Sequence, residues 1–195
     1  MKPFAGRRGG RAYATLDQHE ARLLANLAAQ VAELVRDGAA AAVRPEDPLE
    51  AMVGIEGSVE APDDPVLQRL FPAAYRDDAE GAADFRRFTE QGLRDGKVRN
   101  AQTVIDSLIS GGMAPDDLTA VSAPDVSVDV DLDADQVQAW LRSLTDIRLS
   151  LATRLGIADD ADEPPDEADE AVVILRDIYD WLGFVQESLV LALGD

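Results

Sequence analysis

Residues 126–132 alternate without interruption: Val126, Val128, Val130 and Leu132 are apolar, and Ser127, Asp129 and Asp131 between them are polar. A two-residue period describes a strand with one buried face. A strand by itself leaves its backbone donors and acceptors unpaired. The chain therefore cannot fold as helices alone; it must contain a second strand. Residues 11–16, directly ahead of the first helical pattern, are the natural antiparallel partner.

The remaining periodic stretches are helical. Leu24, Leu27, Val31 and Leu34 recur behind Asp17 and Glu20, which have the form of a capping box, and Gly38 predicts the helix end. Phe85 and Phe88, then Val98, Ala101, Ile105 and Leu108, anchor a second helix. Gly92 and Gly96 inside it mark either a break or a close helix contact. Asp133 and Gln136 cap a third helix bearing Val137, Trp140, Leu144, Ile147 and Leu151, which Gly156 ends. The last is apolar over much of its circumference: Ala171, Leu175, Ile178, Leu182, Val185, Leu189 and Ala192, widened by Ile174, Trp181 and Ser188. Such a helix is either central to the bundle or shared with a second subunit, and the second case would be a homodimer. Prolines at 45, 48, 62, 65 and 72 allow only short helices, near 49–53 and 66–70.

The expected fold is mainly α. One domain spans residues 1–195, with four principal helices near 17–37, 78–110, 133–156 and 169–193 around one core. A two-stranded antiparallel sheet from 11–16 and 126–132 completes it. Residues 1–10, with Lys2, Arg7, Arg8 and three glycines, read as a flexible basic tail. Residues 157–169 read as a mobile acidic loop, because eight of the twelve residues from Asp159 to Glu170 are acidic.

Composition narrows the function. The 195 residues are 46% hydrophobic, sufficient for a globular core. Cysteine is absent and His19 is the only histidine, which excludes a disulfide scaffold, a thiol nucleophile and an ordinary structural zinc site. Eighteen basic against thirty-eight acidic residues give a net charge of −20. Phosphate-driven nucleic-acid binding requires the opposite sign, so direct contact with DNA is not expected. No stretch has the length and apolarity of a membrane helix and no secretory signal is legible, so a cytoplasmic location is expected.

Motifs of catalysis are missing. Asp129, Asp131, Asp133 and Asp135 suggest a calcium loop, but the turn glycine and the closing acid fall on Ala134 and Trp140. The glycine-rich start lacks the phosphate-loop lysine pattern, and no serine sits in a nucleophile elbow. A non-enzyme without cofactor or metal is expected. Basic residues do cluster at 86–99, where Arg86, Arg87, Arg94, Lys97 and Arg99 face only Glu90 and Asp95. This is a solvated helix face or a docking patch for an acidic partner.

Three stretches carry a resemblance: DPVLQRLFPAAYRDD at 64–78; DFRRFTE at 84–90 with KVRNA at 97–101; and WLRSLTDIRL at 140–149 with RLG at 154–156, YDWLG at 179–183 and QESL at 186–189. Together they resemble an actinobacterial domain-of-unknown-function family whose genes lie near that of the Clp protease adaptor. The resemblance runs from Leu16 to Leu193. It implies a transcriptional regulator of the oxidative-stress response acting with an alternative sigma factor or RNA polymerase, through protein contact; an accessory factor of Clp proteolysis is the alternative. A disulfide switch is excluded here, because the chain has no cysteine. Within the matching motifs Arg86, Arg87, Arg94, Arg148, Trp181 and Gln186 are the expected partner-binding residues. Arg148, a charge between apolar helix positions, must find partners or water.

Overall fold

A computed structural model describes residues 1–42, 61–75, 77–114, 127–157 and 169–194. Among them the strands are β1 (Lys2–Arg7), β2 (Arg11–Asp17) and β3 (Ser127–Leu132). The helices are α1 (Gln18–Ala42), α2 (Pro65–Leu70), α3 (Ala79–Ser110), α4 (Ala134–Leu155) and α5 (Glu170–Leu191). The helix expected near 49–53, nearly all of the acidic loop and Val126 lie outside the described residues.

The strand pairing follows the alternation. β2 and β3 are antiparallel, with Ala12 opposite Leu132, Ala14 opposite Val130 and Leu16 opposite Val128. All six are buried and form the inner face of the sheet. On the outer face Thr15 donates to Asp129 at 2.9 Å, and Arg7 and Arg11 hold Asp131 at 2.8 and 3.0 Å. Two acids of the apparent calcium loop thus belong to the sheet, and a third, Asp133, caps α4 in a complete capping box with Gln136.

The sheet has three strands, not the expected two, and the third is the expected flexible tail. β1 pairs antiparallel with β2, Arg7 opposite Arg11. Gly9 and Gly10 take φ of 83° and 72°, which side-chain-bearing residues rarely adopt, and so make the hairpin turn. Phe4 supplies the driving force. It is buried, with its ring edge-on to Trp140 at 5.5 Å.

Helix ends are mostly as the caps predict. Asp17 and Glu20 exchange both bonds of the capping box, and Gly156 closes α4 in the left-handed conformation. α1 departs from expectation by running through Gly38. Gly38 serves packing instead: a Cβ there would lie 2.5 Å from the Leu67 side chain and 3.1 Å from the Arg94 guanidinium. α3 is likewise unbroken, and Gly92 and Gly96 have open space where a Cβ would stand, so they mark neither a break nor a close contact within the described residues.

α1 lies against α3, α3 against α4, and α4 against α5, while α2 bridges to α4 and α5 rests on β1. One continuous core joins the sheet's inner face to these helices, with Trp140, Leu144, Leu182 and Leu189 fully buried. Helix C-terminal ends close both sheet edges. The Phe4 N–H of β1 donates to Ser188 Oγ of α5 at 3.3 Å, and the Gly111 carbonyl accepts from the Asp129 N–H of β3 at 2.9 Å. Open edges invite pairing with other chains, and here both are obstructed.

Candidate partner-binding surface

The basic stretch at 86–99 divides on folding. Arg86, Glu90 and Arg94 stand four residues apart and so share one face of α3, which turns inward. Arg94 is only 4% exposed. Its guanidinium donates to Glu90 through Nε at 2.8 Å and to the Val35 carbonyl of α1 through Nη1 at 2.6 Å. The Phe71 ring covers it, 4.7 Å from the guanidinium carbon. Arg86 lies 3.4 Å from the other Glu90 oxygen. Arg94 is thus spent on internal structure rather than displayed to a partner. Arg87 is half-buried and Arg99 exposed.

A second charge pair adjoins the first. Lys97 Nζ donates to Asp146 of α4 at 2.6 Å and lies 5.5 Å from the centre of the same Phe71 ring. Burial pushes the Asp146 carboxyl above its ordinary value, against the opposing pull of Lys97. Lys97 belongs to the basic stretch and Asp146 to the matching motif at 140–149, whereas Phe71 carries no such signal. The four-residue ladder of Arg86, Glu90 and Arg94 is visible in the sequence; the ring that roofs it arrives from α2, and that juxtaposition is not.

The other expected residues gather at the seam of α4 and α5. Arg148 donates to Gln186 Oε1 and to the Tyr179 hydroxyl, each at 3.1 Å, and its guanidinium carbon lies 4.7 Å from the Tyr179 ring centre. Gln186 in turn donates to Thr145 at 2.8 Å. These polar contacts clamp one helix to the other, and the cluster is half-buried. Trp181, on α5, is half-buried and packs against the core. The structure therefore brings Arg148 and Gln186 together and keeps Arg86, Arg87 and Arg94 apart from them on α3.

A polar groove of about 490 Å³ lies between the end of α3 and β3, lined by Thr103, Asp106, Ser110, Asp129, Asp131 and Gln136. Two of its acids are already engaged by Thr15, Arg7 and Arg11. Asp146, the carboxyl with raised proton affinity, lies elsewhere. Among the described residues no helix is long and apolar enough to cross a membrane.

Comparison with known proteins identifies the lineage of this architecture. The family model described as "Domain of unknown function (DUF2017)" matches residues 1–193. The chain belongs to that family. The chain is 30% identical over 201 aligned positions to proteins named "Oxidative stress regulator AosR" from Mycobacterium bovis and Mycobacterium tuberculosis, covering 96% of this chain and 84% of each relative. It is 28% identical over 202 positions to a "Putative oxidative stress regulator AosR" of Mycobacterium leprae, covering 95% of this chain and 83% of that protein. No solved structure matches the chain. The DUF2017 match takes in β1 and the α4–α5 seam alike, so the clamp and the third strand both lie within the family's span.

Proposed function

We propose that this DUF2017 protein is a non-enzymatic cytoplasmic regulator of the oxidative-stress response. It acts by binding another protein of the transcription apparatus, an alternative sigma factor or RNA polymerase. The observation that carries this reading is the 30% identity, sustained over 96% of the chain, to mycobacterial proteins named oxidative stress regulators. A net charge of −20 favours a protein partner over the DNA phosphates. Regulation in this chain proceeds without a thiol switch, because the sequence contains no cysteine.

Affinity capture of the tagged full chain from an oxidant-treated native lysate, followed by mass spectrometry, tests the proposal. A sigma factor or polymerase subunits among the captured proteins is the expected outcome. Clp components in their place would replace it with the alternative, an accessory role in Clp proteolysis. Recovery of the bait alone would refute both.

A further inference from the structure

The outward side of α5 exposes several large apolar side chains. Ile174 is 52% exposed, Phe184 48% and Leu191 66%, with Val173 and Val190 also open. Helical spacing sets Val173, Phe184 and Leu191 in one stripe, bordered by Ile174 and Trp181. Acids are threaded through it: Asp177 stands seven residues before Phe184, and Asp180 and Glu187 run alongside. All three are exposed. Arg176 is the single basic residue of the helix, and it is held by Asp180 at 3.4 Å and by the Tyr179 ring. The face therefore interleaves apolar side chains with acids, and the one cation of the helix is already engaged.

We infer that this face of α5 is the docking site for a basic amphipathic helix of a partner protein, its apolar side on Ile174, Trp181 and Phe184 and its Lys and Arg residues against Asp177, Asp180 and Glu187. Charge complementarity selects that occupant. A second copy would set the same acids against each other, and an anionic lipid surface would meet the same repulsion. α5 itself carries Glu170, Asp177, Asp180 and Glu187 against Arg176, so its own charge favours the approach of a cationic partner. The inference rests on the reading that this protein works through a protein partner, and it gives that partner's contact a place and a chemistry.

Calorimetric titration of the full chain with a synthetic helix carrying Leu on one face and Lys at its borders tests it. The comparison ligands are the same helix with Glu for Lys and phosphatidylglycerol vesicles. Binding of the Lys helix roughly tenfold or more tighter than the Glu helix is expected. The doubly substituted Ile174→Ser/Phe184→Ser protein should lose about tenfold or more, and Asp177→Lys/Glu187→Lys should lose at least as much. Asp84→Asn/Asp135→Asn, exposed acids elsewhere, should retain full affinity. Because all these side chains are exposed, each variant should keep the parental melting temperature.

Equal losses in the Asp84/Asp135 control would overturn the assignment in favour of general charge attraction. Undiminished binding by the Ile174/Phe184 variant, or equal affinity for vesicles, would overturn it as well. Self-association in sedimentation that Phe184→Ser abolishes would reassign the face to a second copy. Failure of this inference is separable from failure of the regulator reading. A natively captured sigma factor that binds the Ile174/Phe184 variant undiminished would remove the α5 face and leave the regulator reading standing.

Discussion

Two arginines, Arg94 and Arg148, each join separate helices, and they do so by different physics. Arg94 is fully buried and answered by a buried carboxylate, Glu90, so charge meets charge away from water. Arg148 is half-buried, and among the described residues it donates to neutral acceptors, Gln186 and the Tyr179 hydroxyl, with the Tyr179 ring beneath it. Removing one member of a buried ion pair strands the other in a low dielectric. Removing Arg148 takes hydrogen bonds from the half-buried Gln186 and the buried Tyr179 but leaves neither of them as a stranded charge. The α1–α2–α3 side is therefore brittle towards single substitutions, and the α4–α5 seam is compliant.

Arg94→Ala should break that contrast most directly. Loss of up to about 3–5 kcal/mol is expected, because the buried Glu90 carboxylate loses its shortest charge-assisted bonds and retains the Arg86 guanidinium at 3.4 Å. Urea unfolding measures it, and the double variant Arg94→Leu/Glu90→Leu should recover much of the loss. A double variant as unstable as the single one would show that the arginine acts through packing under Phe71 rather than through charge.

Arg148→Ala should cost roughly 1–3 kcal/mol, less than Arg94→Ala, through loss of hydrogen bonds to a charged group. An unchanged urea midpoint would remove the clamp from the stabilising side and assign Arg148 to partner contact. Gly111→Ala lies in the same range, about 1–3 kcal/mol, because its Cβ would meet the Asp129 carbonyl oxygen at 2.6 Å. Hydrogen exchange at the Asp129 amide, whose bond to Gly111 seals the edge of β3, should quicken in that variant.

The smallest effect belongs to Asp146. Burial raises its carboxyl above the ordinary value of 3.8, so the folded state takes up this proton more readily than the unfolded chain. Its contribution to stability is thus fully present below the unfolded value and is lost as pH rises through the folded one. Asp146→Asn cannot ionise. Its stability relative to the parent should rise with pH across that window and then level off. Urea midpoints at several pH values check the sign. A parent that gains on the variant as pH rises would mean that Lys97 outweighs desolvation.

Much of this fold is legible in local pattern. The alternation at 126–132, the capping boxes at Asp17 and Asp133 and the stripes of α4 and α5 each encode an element through short-range chemistry. Errors arose where an element's meaning depends on distant residues. Phe4 sits in a short, glycine-rich, basic stretch and looks solvated until Trp140 is placed beside it. Gly38 resembles a helix stop until Leu67 and Arg94 need the space. In α1 the buried positions include Ala21, Ala25, Ala28 and Ala32, which carry too little apolar weight to define a face on their own.

The expected site was legible in part. Arg148 required partners because a charge between apolar helix positions must be satisfied, and the structure supplies them in Gln186 and Tyr179. Spacing puts Arg86 and Arg94 on one face of α3 and Arg87 on another, but one-dimensional spacing does not say which face meets α1. The chain alone determined that the fold is mainly helical with a paired strand, that no thiol chemistry is available and that the surface is strongly acidic. These are properties of composition and of periods no longer than a helical turn. Which charges are buried, that the first residues are a strand and which apolar face of α5 stays open were decided by tertiary packing. Burial is set by what other segments bring to a surface, and no local period records that.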